Sequence, residues 1–328
     1  MAMINNPVVS VLMICYNQEE YIGKAIRSVM RQKTTFPVEL IIHDDCSTDR
    51  TREICEEYAN LYPDRIRYVR NEKNVGLEEN FIRAYRLTRG KYIAICEGDD
   101  YWLGRKKLQR QVDVMEAHSE YAICFHRTLN YYMRDNSKSL TAYERPAVTT
   151  IYDLARKNYI SNVSCLYRKQ PFDLPEWMSE VRTYDYAMHL LNACYGKIVF
   201  LPQVMAVYRI HGRSVWSESG TEKRYEIALK VRECVMRHFT DTHPDIAAIL
   251  GEKYLENAKA LLRHYQRHEL SEKFDVFLAY VQTMFPDFTA TDVNNISAQG
   301  NGKSLFRKFL SFGRRQVSKL LPLPGSRI

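Results

Sequence analysis

The feature that most limits the fold of this chain is an alternation of β-rich and helix-periodic segments that runs to residue 96. VVSVLMIC (8–15) is a continuous β-rich run that predicts a strand buried on both faces, and VELIIHD (38–44), IRYVRN and YIAIC predict three more strands. Asn17 is predicted to cap the first intervening helix and Gly90 to end the third. Repeated strand–helix units of this length predict an α/β fold with a mostly parallel sheet flanked by helices.

The pattern becomes less regular after residue 120. YAICF, SNVSCLYR and VMAVYRIHGRS predict further strands, and residues 185–193 predict a short helix. The chain is predicted to be mainly helical from about residue 221 to 286. We therefore predict a domain over residues 1–218, a helical region over 219–296 and a basic amphipathic tail over 297–328.

Charge and cysteine spacing narrow the classes of partner and compartment. The net charge of +8 over 328 residues favours anionic partners such as nucleotide phosphates or acidic lipid. Eight dispersed cysteines without a CxxC pair predict buried thiols in a reducing compartment, and the N-terminus lacks the pattern of a signal peptide, so a cytoplasmic location is expected.

The tail carries basic residues on an amphipathic pattern, which leaves two interpretations open. It could lie on the anionic inner face of the cell membrane as an interfacial helix, or it could pack on its own domain or be disordered. Nucleic acid is not an expected partner, because no basic and aromatic platform accompanies the charge.

Polar clusters follow three of the predicted strands. They are CYNQEE after the first strand, HDDCSTD after the second and EGDDYW after the fourth. Ligands of such sheets bind outside the carboxyl ends of the strands, so the three clusters are expected to form one site.

The acids of EGDD repel one another unless a cation lies between them. Two carboxylates at 4 Å repel by roughly 4 kcal/mol at an effective dielectric constant near 20. Oxygen-only ligands select Mg²⁺ or Mn²⁺ over zinc or copper. A solvated acidic turn is the alternative for this motif.

The second cluster also has two interpretations. Asp44 or Asp45 could accept a hydrogen bond from a base imide or a ribose hydroxyl, while Ser47 or Thr48 caps the next helix. In the alternative, the carboxylates serve only the helix cap.

The ordered set of segments resembles a known family. VSVLMICYNQEEYIGKAIRSV, ELIIHDDCSTDRT, NVGLEENFIRAYRLTRGKYIAICEGDDYW and YRIHGRS are similar to the signature segments of the family 2 glycosyltransferases, inverting enzymes of the GT-A fold. The resemblance covers about the first 215 residues. It implies that Cys15, Tyr16 and Asn17 line the nucleotide pocket, that Asp44 accepts from the base and that Asp45 supports the loop.

The same resemblance implies roles for the acidic motif. Asp99 and Asp100 match the acids that bind the metal and the donor sugar, whereas Glu97 stands where many members have aspartate. Trp102 would close one side of the sugar pocket, or would be a core residue.

Two more segments carry candidate residues. Asp185 matches the acid that acts as general base, preceded by Tyr184 where many relatives have glutamate; its alternative is an acid that stabilises a helix N-terminus. Candidates to bind the departing diphosphate are Arg209, His211 and Arg213, with Lys73 and Arg83 as further candidates or solvated charges.

Together these observations predict a metal-dependent glycosyltransferase. It would transfer a sugar, with inversion, from a nucleotide diphosphate sugar, UDP being the base expected by resemblance, to a glycan or lipid-linked acceptor. Two alternatives remain: a nucleotidyltransferase, and a non-catalytic nucleotide-sugar-binding protein on a degenerate GT-A fold. A dinucleotide oxidoreductase is disfavoured, because CYNQEE contains no glycine.

Overall fold

The structure, a computed structural model, describes residues 6–212 and 219–294. These two ranges belong to two compact units. Arg213 and the predicted tail lie outside the described residues, so their roles stay predictions. No described helix is long and apolar enough to cross a membrane.

The first unit is built on one sheet with the order β3-β2-β1-β4-β9-β6-β10-β5, in which β7 also pairs with β6 and β8 with β10. The strands are β1 (Val9–Cys15), β2 (Val38–Asp44), β3 (Ile66–Arg70), β4 (Tyr92–Ile95), β5 (Tyr101–Trp102), β6 (Tyr121–Tyr132), β7 (Ser137–Leu140), β8 (Val148–Thr149), β9 (Leu166–Arg168) and β10 (Lys197–Ile210).

Helices flank this sheet. The described α-helices of the first unit are α1 (Ile22–Met30), α2 (Thr51–Leu61), α3 (Leu77–Arg86), α4 (Lys107–Ala117), α5 (Ile151–Arg156) and α6 (Tyr184–Ala193). Short 3₁₀ helices cover Asn162–Ser164 and Glu176–Glu180.

The centre of the sheet confirms the predicted α/β class. β1 pairs in parallel with β2 and β4, and every residue of these three strands is buried. Strands buried on both faces have continuous apolar sequences, which is the pattern that predicted them. The sheet is mixed beyond β4, because β9 runs antiparallel to both β4 and β6.

Local details differ from the predictions at three places. Asn17 does not cap α1, which begins at Ile22, because its side chain accepts a hydrogen bond from the next loop instead. The helix α3 ends at Arg86, before Gly90. Gly90 is needed for packing, since a Cβ there would lie 2.5 Å from the backbone nitrogen of Ser10. SNVSCLYR forms a 3₁₀ turn and a three-residue strand.

The second unit is helical, as predicted. Its described helices are α7 (Thr221–Phe239), α8 (Pro244–Arg267), α9 (Ser271–Met284) and α10 (Ala290–Asn294). Glu233, 1% exposed, accepts hydrogen bonds from Tyr280 Oη at 2.8 and 2.9 Å and pairs with Arg237 Nη2 at 2.5 Å. A buried charge requires such partners. All eight cysteines lie in the described residues, none forms a disulfide there, and six are buried.

The lysine at the start of α4 is fully buried, which is rare for this residue type. Lys107 is 0% exposed, and its Nζ has no hydrogen-bond partner among the described residues. The ammonium lies 4.1 Å from the ring centroid of Trp102, an arrangement that offsets part of the desolvation cost. Burial lowers the pKa of Lys107 to about 8.

Lys107→Met is expected to stabilise the protein near pH 7. The folded pKa of Lys107 lies below the value of 10.5 for a free lysine, so the protonated side chain destabilises the fold fully below pH 8. This cost disappears as pH rises from about 8 to 10.5. At 1.36 kcal/mol per pKa unit, the gain is at most about 3 kcal/mol, and it should shrink over that window. Denaturant unfolding of both proteins at several pH values measures it.

Lys106→Met is the matched control, because Lys106 is the neighbouring residue and is exposed. It should change the unfolding free energy by less than about 0.5 kcal/mol at every pH. A difference between wild type and Lys107→Met that does not vary between pH 7 and 10.5 would contradict the depressed pKa.

Candidate active site

The loops that follow β1 and β2 are hydrogen-bonded to each other at the carboxyl edge of the sheet. The backbone N–H of Asn17 donates to Ser47 Oγ at 3.0 Å, and Asn17 Oδ1 accepts from the backbone N–H of Thr48 at 2.8 Å. Asn17 has a φ of 51°, which asparagine tolerates better than most residues. Tyr16 is 45% exposed beside it. The structure therefore brings the first two predicted clusters together.

Cys15 and Asp44 lie beneath this surface. The Cys15 thiol is buried, 3.9 Å from the carbonyl oxygen of His43. Asp44 is 0% exposed; its Oδ1 accepts from the backbone N–H of Ser47 at 3.0 Å, and its Oδ2 accepts from Tyr68 Oη at 2.8 Å. Oδ1 of Asp44 thus supports the loop and Oδ2 is bonded to β3, whereas direct contact with a nucleotide base stays a prediction.

Asp45 fixes the loop before α3. Its Oδ1 accepts from the backbone N–H of Val75 and from Asn71 Nδ2, both at 2.9 Å, and its Oδ2 accepts from the N–H of Gly76 at 2.9 Å. Gly76 has a φ of 90°, a conformation that favours glycine. Asp45 therefore holds the loop before α3, and its role in a nucleotide pocket stays a prediction.

The two weaker candidates lie near that loop. Lys73 is exposed. Arg83 is held by Glu79 Oε1 at 2.7 Å and by Asn71 Oδ1 at 3.1 Å.

The acidic motif after β4 is a compact group of carboxylates. Glu97, Asp99 and Asp100 each place one oxygen within 4.8 Å of the others. Gly98 permits this turn, because a Cβ there would collide with Gln18 and Ile22 of the loop and helix after β1. The third cluster is thus packed directly against the first.

Asp100 is the buried member of this group. It is 1% exposed, and its Oδ1 accepts from the backbone N–H of Arg209 at 2.8 Å. Its Oδ2 is buried without a hydrogen-bond partner among the described residues. Burial, with the negative charges of Asp99 and Glu97, raises the pKa of Asp100 well above its usual value.

The end of β10 supplies the cationic side of the site. Arg209 donates to the carbonyl oxygen of Asp99, and its guanidinium lies 4.5 Å from the ring centroid of Tyr101. His211 Nε2 lies 3.0 Å from Asp99 Oδ2, and its ring stacks on Tyr21 at 5.1 Å. Two of the three predicted phosphate-binding residues therefore contact the acidic motif.

Asp185 is the second residue of α6 and is half-buried. Burial raises the pKa of its carboxyl, and the backbone N–H groups of Tyr186 and Asp185 oppose that rise. Tyr184, the residue before Asp185, donates a hydrogen bond to Glu97 Oε1, so the first turn of α6 lies beside the acidic motif. The structure thus brings the predicted base beside the predicted metal motif.

Tyr184 connects helix α6 to the acidic motif. Its hydroxyl donates a short hydrogen bond to Glu97 Oε1 and accepts from Asn162 Nδ2 at 3.1 Å. Its ring stacks on Phe81 with centroids 3.7 Å apart. Burial, followed by the charge of Asp99, raises the pKa of Glu97 to about 8. The two positions at which this chain departs from the family pattern are therefore in direct contact.

Sequence reasoning missed several residues around the site. Asn162 and Tyr208 were not singled out, and Tyr184 was noted only as a departure. No local pattern marked Tyr208, because it alternates with Arg209 along the strand and therefore lies on the opposite face from it. Trp102 is 4% exposed and donates from Nε1 to the carbonyl oxygen of Val163 at 3.1 Å, which is a core role.

The acidic motif fits a divalent cation. Its ligands are carboxylate oxygens, which suit Mg²⁺ or Mn²⁺. The unpartnered Oδ2 of Asp100 is the observation that supports this fit, since buried polar atoms of native proteins generally have a partner. A cation would supply that partner and relieve the repulsion among the three acids.

Comparison with known proteins identifies the family. The sequence profile described as Glycosyl transferase family 2 matches residues 10–209. This chain belongs to that family.

The similar sequences include bacterial proteins. An uncharacterized protein of Mycobacterium tuberculosis, Rv1520, is 40% identical over 222 residues, which are 66% of this chain and 62% of that protein. TuaG of Bacillus subtilis, provisionally named a teichuronic acid biosynthesis glycosyltransferase, is 34% identical over 49% of this chain and 60% of its own. The chain thus spans less than two thirds of the length of these relatives.

Solved structures share the fold. S. aureus TarS in complex with UDP-GlcNAc aligns with a TM-score of 0.55 at 18% identity, over 87% of this chain and 95% of that one. The mannosyltransferase PcManGT of Pyrobaculum calidifontis, in complex with GDP-Man and Mn²⁺, aligns with a TM-score of 0.55 at 16% identity, over 96% of this chain and 88% of that one.

Proposed function

We propose that this chain transfers a sugar, with inversion, from a nucleotide diphosphate sugar to a hydroxyl of a glycan or lipid-linked acceptor. The observation that carries the proposal is that Asp185 lies in the first turn of α6, whose Tyr184 is hydrogen-bonded to Glu97 of the acidic group formed with Asp99 and Asp100. A base and a donor-binding motif are then adjacent, as a single displacement requires. Similarity to TuaG supports a product among bacterial surface polysaccharides such as O-antigen or capsule.

Asp99 and Asp100 would hold the divalent cation, Mn²⁺ or Mg²⁺. When bound, it would supply positive charge to the donor diphosphate, which two carboxylates would otherwise repel. Arg209 and His211 add cationic or donor groups at the same place, and Arg213 is proposed to join them. The complexes of structural neighbours with UDP-GlcNAc and with GDP-Man and Mn²⁺ support this donor class, with UDP as our first choice.

Asp185 would accept the proton of the attacking hydroxyl as the new glycosidic bond forms. An alcohol is a weak nucleophile until a positioned base takes its proton. Because burial raises the pKa of Asp185, its carboxylate is a stronger base than an exposed aspartate. The sugar–phosphate bond breaks as the new bond forms, so the diphosphate leaves on the face opposite the acceptor and the anomeric configuration inverts.

Thermal unfolding with a panel of nucleotide sugars tests the proposal. A bound donor stabilises the folded state by mass action, by about 2.7 kcal/mol at 100 times its Kd. We expect sugar nucleotides with one particular nucleobase to raise the Tm in the presence of Mn²⁺. The increase in Tm should be much smaller without Mn²⁺. If no UDP-, GDP- or dTDP-sugar at 1 mM changes the Tm of the folded chain with Mn²⁺, the proposal is wrong.

A further inference from the structure

One face of the sheet beside Asp185 is polar, partly exposed and not used by the donor site. Tyr208 of β10 is in register with Asn130 of β6, and Asn130 is in register with Ser139 of β7. Residues paired across strands point to the same face, so these three side chains form a row. Tyr132 and Ser137 form the next row outward. We call these five residues the hairpin platform.

The platform continues a buried face of the sheet. Trp102 and Thr128 pair with Ala206, two residues before Tyr208, and all three are buried. Beyond Thr128, the side chains of β6 on this face become more exposed, and Tyr132 is 36% exposed. Ser139 Oγ donates to Tyr132 Oη at 3.5 Å, which confirms that both side chains lie on this face.

This face adjoins the proposed base. Tyr208 packs against the core cluster of which Trp102 is a member. The next residue, Arg209, donates its backbone N–H to Asp100 Oδ1 at 2.8 Å, and α6, which carries Asp185, contacts β6. The platform therefore leads outward from the acids of the site to solvent.

The chemistry of the platform is uncharged. It offers one amide, two serine hydroxyls and two tyrosines, whereas the cations Arg209 and Lys138 lie on the opposite face, in register with Tyr131. None of the five described platform residues offers a cation to an anionic phosphate or lipid headgroup. A sugar ring matches the platform, because its apolar C–H face packs on an aromatic side chain and its hydroxyls bond to amides and hydroxyls.

We propose that the hairpin platform binds a pyranose ring of the acceptor, next to the hydroxyl that Asp185 deprotonates. This inference rests on the proposed function, because it assigns the acceptor of that same site to the carbohydrate class. Tyr132 is the residue that contacts the sugar ring, and Asn130, Ser137 and Ser139 orient its hydroxyls.

The test measures nucleotide release from the donor that the thermal panel identifies, with and without p-nitrophenyl pyranosides of glucose, galactose, N-acetylglucosamine and rhamnose. At least one glycoside is expected to increase nucleotide release by the full-length protein. Tyr132→Ala should then raise the KM for that glycoside about 10-fold, while donor KM and donor hydrolysis stay the same.

Leu140→Ala is the matched control. Leu140 lies on the same hairpin, is 53% exposed and pairs with Leu129, which places it on the opposite face. It removes a comparable exposed apolar side chain and should leave the acceptor KM unchanged. Equal acceptor KM values for wild type and Tyr132→Ala would overturn the platform, and so would an equal rise in acceptor KM for both variants. It would also be overturned if the wild type hydrolyses the donor but no glycoside increases its nucleotide release. Absence of donor binding would instead reject the proposed function.

Discussion

Asp185→Asn is expected to lower the rate of sugar transfer by roughly 100- to 10,000-fold, the range that general base catalysis contributes. The amide has nearly the same shape as the carboxylate but cannot accept the proton of the acceptor hydroxyl. Donor binding should be retained, because Asp185 belongs to α6 and not to the acidic motif. Steady-state kinetics with donor and acceptor varied in turn would show a fall in kcat with donor KM nearly unchanged.

The acid limb of the pH profile gives a second readout of the same residue. Since the pKa of Asp185 is raised, the fraction of carboxylate falls as pH drops through that raised value, and the transfer rate should fall with it. The base is active above its pKa, so the transfer rate should decrease as the pH is lowered. Asp275→Asn makes the same chemical change at an exposed position of α9 and should retain full activity. A correctly folded Asp185→Asn with near-normal transfer would show that another group is the base.

Asp99→Asn is expected to weaken Mn²⁺ binding by about 100-fold or more and to remove most transfer activity. Loss of a ligand should cost at least as much as loss of a residue that only orients one, which is typically 10- to 100-fold in metal affinity. The substitution also disturbs His211, whose Nε2 lies 3.0 Å from Asp99 Oδ2. Calorimetric titration with Mn²⁺ in the presence of a nucleoside diphosphate measures the affinity.

A matched control separates this effect from a general change of charge. Asp64→Asn removes one exposed carboxylate and should bind Mn²⁺ as the wild type does. Unfolding in the absence of ligand checks that each variant is folded. Unchanged Mn²⁺ affinity in a folded Asp99→Asn would show that Asp99 is not a metal ligand.

The sequence predicted the central strands of the sheet, in which every residue is buried. β1, β2 and β4 are buried on both faces, so their β-rich sequences predicted strands. The position of the EGDD acids at the site was predicted because ligands of such sheets bind at the carboxyl ends of the strands. Asp45 and Asp185 were predicted on the resemblance; Asp45 holds the loop before α3, and its role in a nucleotide pocket stays a prediction.

The remainder depends on pairings between distant parts of the chain. β6 and β10 have 12 and 14 residues and pair in parallel across register shifts, which no local pattern specifies. Asn17 was mistaken for a cap because its partner, Thr48, lies 31 residues away. The contact between Glu97 and Tyr184 spans 87 residues, so their shared role could not be inferred from either position alone.

That contact has an evolutionary implication. An aspartate at position 97 would be one methylene shorter and would leave the buried Tyr184 hydroxyl without its acceptor, and a glutamate at position 184 would place a second acid against the first. Neither single replacement is therefore neutral, and both positions must change together to return to the commoner pair. Among homologues of this chain, we expect covariation at these two sites, with glutamate at the first wherever tyrosine occupies the second.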